Sequence, residues 1–164
     1  MKTLLILRHA KSSWNDPGMT DHDRPLNSRG KEDAPRIGQL LRERGLQPDL
    51  ILSSTAKRAR STAKRVVEGG QLTCSPQLLD ELYLAPADTY LAVLRRQPAE
   101  YERILVVGHN PGLEELVLSL TGNSLTLPTA ALVQVEFGLD TWFELPGHGT
   151  GKLVAHWEPR GIES

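Results

Sequence analysis

Leu4-Leu5-Ile6-Leu7, followed directly by Arg8-His9, is the stretch on which the reading of this chain turns. Four apolar residues in a row suit a strand buried on both faces, and the cation and imidazole that follow fall where such a strand leaves its sheet. Two later junctions repeat the design. Leu50-Ile51-Leu52-Ser53-Ser54 leads to Arg58, and Ile104-Leu105-Val106-Val107-Gly108 leads to His109.

Further short β-rich runs occupy residues 132–137 and 153–157, with a weaker candidate at 72–75. Helical patterns alternate with most of them. Over residues 31–44 Ile37, Leu40 and Leu41 make one stripe, Arg42 and Arg44 load the last turn, and Gly45 suits a left-handed stop; Pro35 belongs in the first turn or at a kink. A second helix is expected over 57–68, burying Ala59, Ala63, Val66 and Val67 and stopping at Gly69-Gly70. A third follows Pro86, with Tyr90, Leu91 and Leu94 inward. A fourth starts near Pro111 as its first residue and carries Leu113, Leu116, Val117 and Leu120 to Gly122.

This rhythm predicts an α/β fold: a three-layer αβα sandwich around a mostly parallel central sheet, with an antiparallel strand at the C-terminal end. Residues 138–151, rich in Gly, read as a hairpin loop joining the last two strands. Residues 14–29 lack periodicity and read as a loop over the end of the sheet. The last few residues read as loose. The expected organisation is one domain over residues 1–164, ample for a core without disulfides.

Composition narrows the function classes. Nineteen Lys and Arg against twenty Asp and Glu give a net charge of -1, so no global basic excess points to nucleic acid or to an anionic membrane. The apolar opening imitates a signal peptide, but Arg8 ends it too early and no small-residue cleavage site follows. A single cysteine, Cys74, excludes an internal disulfide and fits a reducing compartment, and no run reaches transmembrane length. The expectation is a cytoplasmic protein.

In open α/β folds ligands bind beyond the carboxyl ends of the strands, which would gather Arg8, His9, Arg58 and His109. Lys57, Arg58 and Arg60 crowd the start of a predicted helix, where the dipole disfavours cations by up to ~1 kcal/mol each. An anion held there reverses that penalty. The competing readings are a surface basic pair at Arg8-His9, solvated charges around Arg58, and a hydrogen-bonded structural histidine at His109.

Two histidines and two arginines in one place fit covalent phosphoryl transfer: neutral His9 attacks phosphorus while Arg8, Arg58 and His109 neutralise the equatorial oxygens, and water then releases phosphate. No metal or other cofactor is required. A poor leaving group needs a proton, and Glu81, chosen over Asp80, is the candidate general acid, against the reading of a solvated loop carboxylate. Cys74 lacks the arginine of a cysteine phosphatase loop, Asp21-His22-Asp23 follows no hydrophobic strand, and His22, His148 and His156 show no zinc-ligand spacing.

These residues resemble the histidine phosphatase, or phosphoglycerate mutase-like, superfamily. Leu7-Arg8-His9-Ala10, Ser53-Ser54-Thr55-Ala56-Lys57-Arg58-Ala59 and Val107-Gly108-His109-Asn110-Pro111 are similar to its three motifs, in its order. The resemblance implies a phosphoglycerate mutase-like fold, His9 as the phosphorylated nucleophile, and Arg8, Arg58 and His109 completing the phosphate pocket. The opening Arg8-His9-Ala10-Lys11-Ser12-x-Trp14, continued by Asp21-x-x-Arg24-Pro25-Leu26 and Arg29-Gly30, most resembles the SixA-type phosphohistidine phosphatases.

Lys11 stands where many of that group carry an acidic residue, giving a more basic rim. Arg24 and Arg29 are candidate contacts for a second anionic group or an acidic protein face, or solvated loop residues. Trp14 either lines the groove and selects substrate or packs under the loop. Only a short stretch separates Arg58 from Glu81, where the phosphoglycerate mutases of the resembled superfamily carry long insertions that close over a small substrate. The resemblance therefore implies an open groove, which favours a phosphorylated protein, such as a histidine phosphotransfer domain, over a small phosphorylated metabolite. A small-molecule phosphomonoesterase or mutase, and a non-catalytic phosphate-binding module, are the alternatives.

Overall fold

The computed structural model describes residues 1–146 and 150–159. The opening apolar run forms β1 (Lys2–Arg8), and the two matching junctions form β2 (Leu50–Ser54) and β4 (Arg103–Gly108). With β3 (Gln77–Leu79), β5 (Leu132–Phe137) and β6 (Lys152–Trp157) they make a six-stranded sheet in the order β3-β2-β4-β1-β5-β6. β1, β2, β3 and β4 pair in parallel, β5 runs antiparallel to β1, and β6 runs antiparallel to β5.

Side chains alternate across the buried strands, and each face receives a helical layer. Leu5, Leu7, Ile51, Leu105 and Val107 pack beneath α1 (Ser28–Glu43) and α2 (Lys57–Gly70). Leu4, Ile6, Leu52, Ile104 and Val106 pack against α3 (Ala87–Arg95) and α4 (Gly112–Thr121). The three-layer αβα arrangement expected from the apolar runs is therefore the observed one. Burying one Leu or Val fully contributes about 1.5–3 kcal/mol, so the doubly covered central strands are the part of the sheet least free to move.

Several boundaries differ from the expectation. The edge strand lies at Gln77–Leu79 rather than at 72–75, because residues past Pro76 are the ones that reach β2, where Leu52, Ser53 and Ser54 pair with Gln77, Leu78 and Leu79. α1 begins at Ser28, with the Asn27 side chain accepting from the Gly30 N–H, so Pro35 lies inside the helix rather than in its first turn. Gly45 does stop the helix region in a left-handed conformation, at φ 67°. α2 ends at Gly70, as expected, and the left-handed residue that caps it is Gln71.

The glycine character of Gly69 and Gly70 has a further cause. A Cβ on Gly69 would overlap the backbone of Pro35, and one on Gly70 or Gly38 would overlap the carbonyl of the facing helix. The absence of side chains thus lets α1 and α2 approach backbone to backbone. Pro111 is the N-cap of α4 rather than its first residue, and Gly122 closes that helix at φ 76°.

The stretch between β5 and β6 holds a 3-10 turn, Trp142–Glu144, which buries Trp142 against the core; Trp142 Nε1 donates to the Tyr101 carbonyl. The middle of that stretch, residues 147–149, and the last few residues, 160–164, lie outside the described residues. Among the described residues no helix is long and apolar enough to cross a membrane.

Candidate active site

Strand register builds the site. Arg8 stands opposite Gly108 in the parallel β1–β4 pair, so His9 and His109 step off neighbouring strands at the same level. Their ring centroids are 5.2 Å apart. β2 adds Ser54 on the other side of β4, and its hydroxyl oxygen lies 2.8 Å from Nε2 of His109. Gly108 is obligatory at this level, because a Cβ there would overlap the Tyr90 hydroxyl, which accepts from the His109 backbone N–H at 3.2 Å.

His9 and His109 face a cavity of about 340 Å³ beyond the carboxyl ends of the strands. Arg8, His9, Arg58 and His109 all line it, as the three junctions predict, and Lys11 and Arg24 join them. The segment between β1 and α1 closes one side, as expected of a loop over the sheet end. It is anchored by the Ser12–Leu26 bridge and by Gly30, whose missing side chain lets α1 start against the backbone of Lys11.

His9 is buried, and its Nδ1 lies 2.8 Å from the Ala10 carbonyl oxygen. A carbonyl only accepts, so the neutral ring carries its proton on Nδ1 and keeps its lone pair on Nε2. Burial, more than anything else, pushes His9 down to about 3; Arg58, Arg8 and Arg24 act in the same direction, against the Ala10 hydrogen bond. His109 is likewise lowered to about 3, first by burial and then by His9 and Arg58.

Arg58 is only 2% exposed, in the first turn of α2. Its guanidinium is held by Asp21: one terminal nitrogen donates to the Asp21 carbonyl at 2.7 Å and the other to the Asp21 carboxylate at 3.0 Å. The same carboxylate accepts from the Tyr83 hydroxyl and, at 3.1 Å, from Arg24 Nε. Burial alone would raise Asp21, but the bonds from Tyr83, Arg58 and Arg24 outweigh it and hold Asp21 down at about 2. The anion expected at the start of α2 is thus partly supplied from within the chain.

Glu81 and Arg29 stand elsewhere than expected. Glu81, in the 3-10 turn Asp80–Leu82, does not line the cavity; its carboxylate accepts from Arg96, just past α3, at 2.6 Å. Arg29 sits half-exposed on α1, where Asp33 one turn on captures it at 3.5 Å. In both cases a nearby opposite charge wins over the cavity. Arg24 lines the cavity, yet its donors go to Asp21 and, at 2.7 Å, to the Ser12 hydroxyl.

Asp21, Tyr83 and Ser54 are the members that sequence reasoning passed over. Asp21 carried a signal, its spacing to Arg24; Tyr83 carried none. Among the described residues no group of three or more His, Cys, Asp or Glu side chains is placed to hold a metal ion.

The low histidine values set a pH dependence. Below about 6.5 the unfolded chain protonates both rings and the folded chain does not, so stability falls with pH from there toward about 3. At pH 5 each ring accounts for on the order of 2 kcal/mol of that loss. An anion in the cavity raises both values, so sulfate should raise the melting temperature more at pH 5.5 than at pH 8, with chloride at equal ionic strength showing no such trend. A sulfate shift independent of pH would separate the histidines from the anion.

Known proteins resemble this chain in sequence and in fold. The model of the histidine phosphatase superfamily (branch 1) matches residues 4–83. An uncharacterized chloroplastic protein of Arabidopsis thaliana is 37% identical over 170 residues, covering 93% of this chain and 75% of its own. The crystal structure of a proposed phosphohistidine phosphatase, SixA from Agrobacterium tumefaciens, superposes with a TM-score of 0.83 at 32% identity over 96% of this chain and 98% of that one. The protein histidine phosphatase SixA complexed with tungstate, at 22% identity, shares the fold with a TM-score of 0.84 over 98% and 99% of the two chains. A likeness at 32% identity along nearly the whole of both chains goes beyond a common fold, and with the family match it makes this chain a SixA-type member of the histidine phosphatase superfamily, and so a phosphatase.

Proposed function

We propose that the chain hydrolyses phosphohistidine on a protein, through a phosphohistidine intermediate of its own at His9, with no metal ion taking part. The observation that carries the reading is the pinned Nδ1 of His9, which leaves a neutral nucleophile at Nε2 on the floor of a cationic cavity. The Nε2 lone pair forms a bond to phosphorus as the substrate P–N bond breaks, and the electron pair of that bond goes to the departing imidazole nitrogen. The positive charge that develops on His9 is shared through Nδ1–H with the Ala10 carbonyl. Arg8 and Arg58 balance charge on the phosphoryl oxygens, and His109, neutral in the resting site, lies beside them. Water then attacks phosphorus, the Nε2–P bond breaks, and neutral His9 returns as inorganic phosphate leaves.

Donor capacity supports an oxyanion there. Nε of Arg8 and Nε of Arg58, both lining the cavity, are buried without a hydrogen-bond partner among the described residues, a cost that a bound oxyanion would relieve. The placement of the carboxylates supports a P–N substrate. Asp21 is held ionised and has no proton to give, and Glu81 faces Arg96. An alkyl ester needs an acid for its leaving group, whereas a phosphohistidine already protonated on its other ring nitrogen leaves as neutral imidazole.

Between Arg58 and Glu81 the chain completes α2 and forms the short edge strand β3, with no inserted cover. This leaves the groove open enough for a protein-borne residue. The test is phosphate release, in EDTA, from a phosphorylated histidine phosphotransfer domain against an equal panel of phosphate esters. Release from the domain supports the reading, ester turnover alone replaces it with a small-molecule phosphomonoesterase, and turnover of neither leaves a binding module.

A further inference from the structure

Trp14 and Leu84 are the two apolar side chains among the described residues that line the cavity, and both stand in solvent, 74% and 55% exposed. An exposed tryptophan is ordinarily free to swing, but this one is held. The Arg24 guanidinium carbon lies 3.5 Å from the centre of its ring system, and Arg24 is itself fixed by Asp21 and Ser12. One face of the indole is therefore backed by an immobilised cation and the rest is left open at the cavity mouth. The packing-under-the-loop alternative is not what the chain adopts.

Leu84 shows a second, independent oddity. Its backbone is left-handed, at φ 51°, a conformation that costs a branched residue energy and persists at ligand sites. A glycine would sit there without strain, yet the chain carries a leucine whose side chain lines the cavity.

We infer that Trp14, with Leu84, is the specificity element of this cavity, a shelf that receives the planar ring of the leaving group while the phosphoryl group sits on the cationic floor. The inference rests on the phosphatase reading of the cavity and narrows it to substrates whose phosphoryl group is attached to, or adjoins, a flat ring. A phosphorylated imidazole protonated on its free nitrogen is a planar cation, and an indole face favours it both by stacking and by its quadrupole. The shelf thereby stabilises the protonated ring that leaves without help from a carboxylic acid.

Binding of phosphonates, which the enzyme cannot hydrolyse, tests the shelf apart from the chemistry. Wild type should bind phenylphosphonate more tightly than methylphosphonate by about threefold to tenfold. In Trp14→Ala the ratio should fall to near one, the loss being in phenylphosphonate affinity; Trp14→Phe should recover most of it, and Leu84→Gly should lower it. A ratio near one in wild type, or an unchanged ratio in Trp14→Ala, overturns the inference. So does an equal loss for both ligands, which would make Trp14 a prop for Arg24. Failure of the phosphohistidine reading would appear instead in the turnover panel, with the phosphonate ratio intact.

Discussion

His9→Ala should reduce phosphate release by about 10⁴-fold or more while leaving the protein folded and able to bind sulfate. The size follows from the role: among the described residues no other imidazole lining the cavity has a ring nitrogen pinned by a carbonyl. His109 does not substitute, because its Nε2 is engaged with Ser54. Loss of the ring removes a buried group that carries no charge in the resting state, so the floor stays cationic and anion binding survives. The measurement pairs turnover with rapid acid-free quenching of wild type and variant after exposure to labelled substrate. Wild type should hold an alkali-stable, acid-labile phosphoryl group and His9→Ala none. Label that persists in the variant, or turnover within tenfold of wild type, would sink the covalent mechanism.

Replacing Arg58 is expected to cost about 10²–10³ in kcat/KM, the loss typical of removing a preorganised donor at a developing charge. Arg58→Lys should recover little of it. The native fork reaches the Asp21 carbonyl and carboxylate through two different nitrogens while remaining in the cavity wall, a geometry that a single ammonium cannot reproduce. Arg58→Met has a second signature. In wild type Asp21 contributes stability that is fully present above about 4 and is lost as pH falls through about 2, because its folded value is the depressed one. Without Arg58 that depression shrinks, so the variant gains less stability than wild type between pH 2 and pH 4. Circular dichroism at pH 7 confirms that each variant is folded. A variant with unaltered kcat/KM would remove Arg58 from the mechanism, and an unaltered acid limb would remove it from control of Asp21.

The sheet and most of the cavity floor were legible in the sequence because they depend on local patterns. Continuous apolar runs mark buried parallel strands, and polar residues directly after them mark the strand ends where side chains converge. Arg8, His9, Arg58 and His109 could be found in this way with no knowledge of register. Glu81 could not be placed, since its ion pair with Arg96 depends on distances that no spacing rule in a loop supplies, whereas Arg29 was misplaced because the helix was expected to begin at residue 31, which hid its i,i+4 pair with Asp33. Asp21 was hidden for the converse reason. It lies in an aperiodic segment and matters through Arg58 and Tyr83, which are remote in the chain. Gly69 and Gly70 mark the end of α2 as read, but they also answer to a neighbouring helix, and glycine looks alike in both roles.

The contact that those glycines permit has a bearing on redesign. α1 carries on directly from the segment that holds Trp14, Asp21 and Arg24, and α2 opens with Arg58. Since the two helices meet through their backbones at Gly38, Gly69 and Gly70, they form a chassis on which the two walls of the cavity are mounted. Libraries that vary the segment between β1 and α1 can therefore explore new leaving groups on a fixed mount, whereas a side chain introduced at the seam alters the spacing of both walls at once and confounds any selection for specificity.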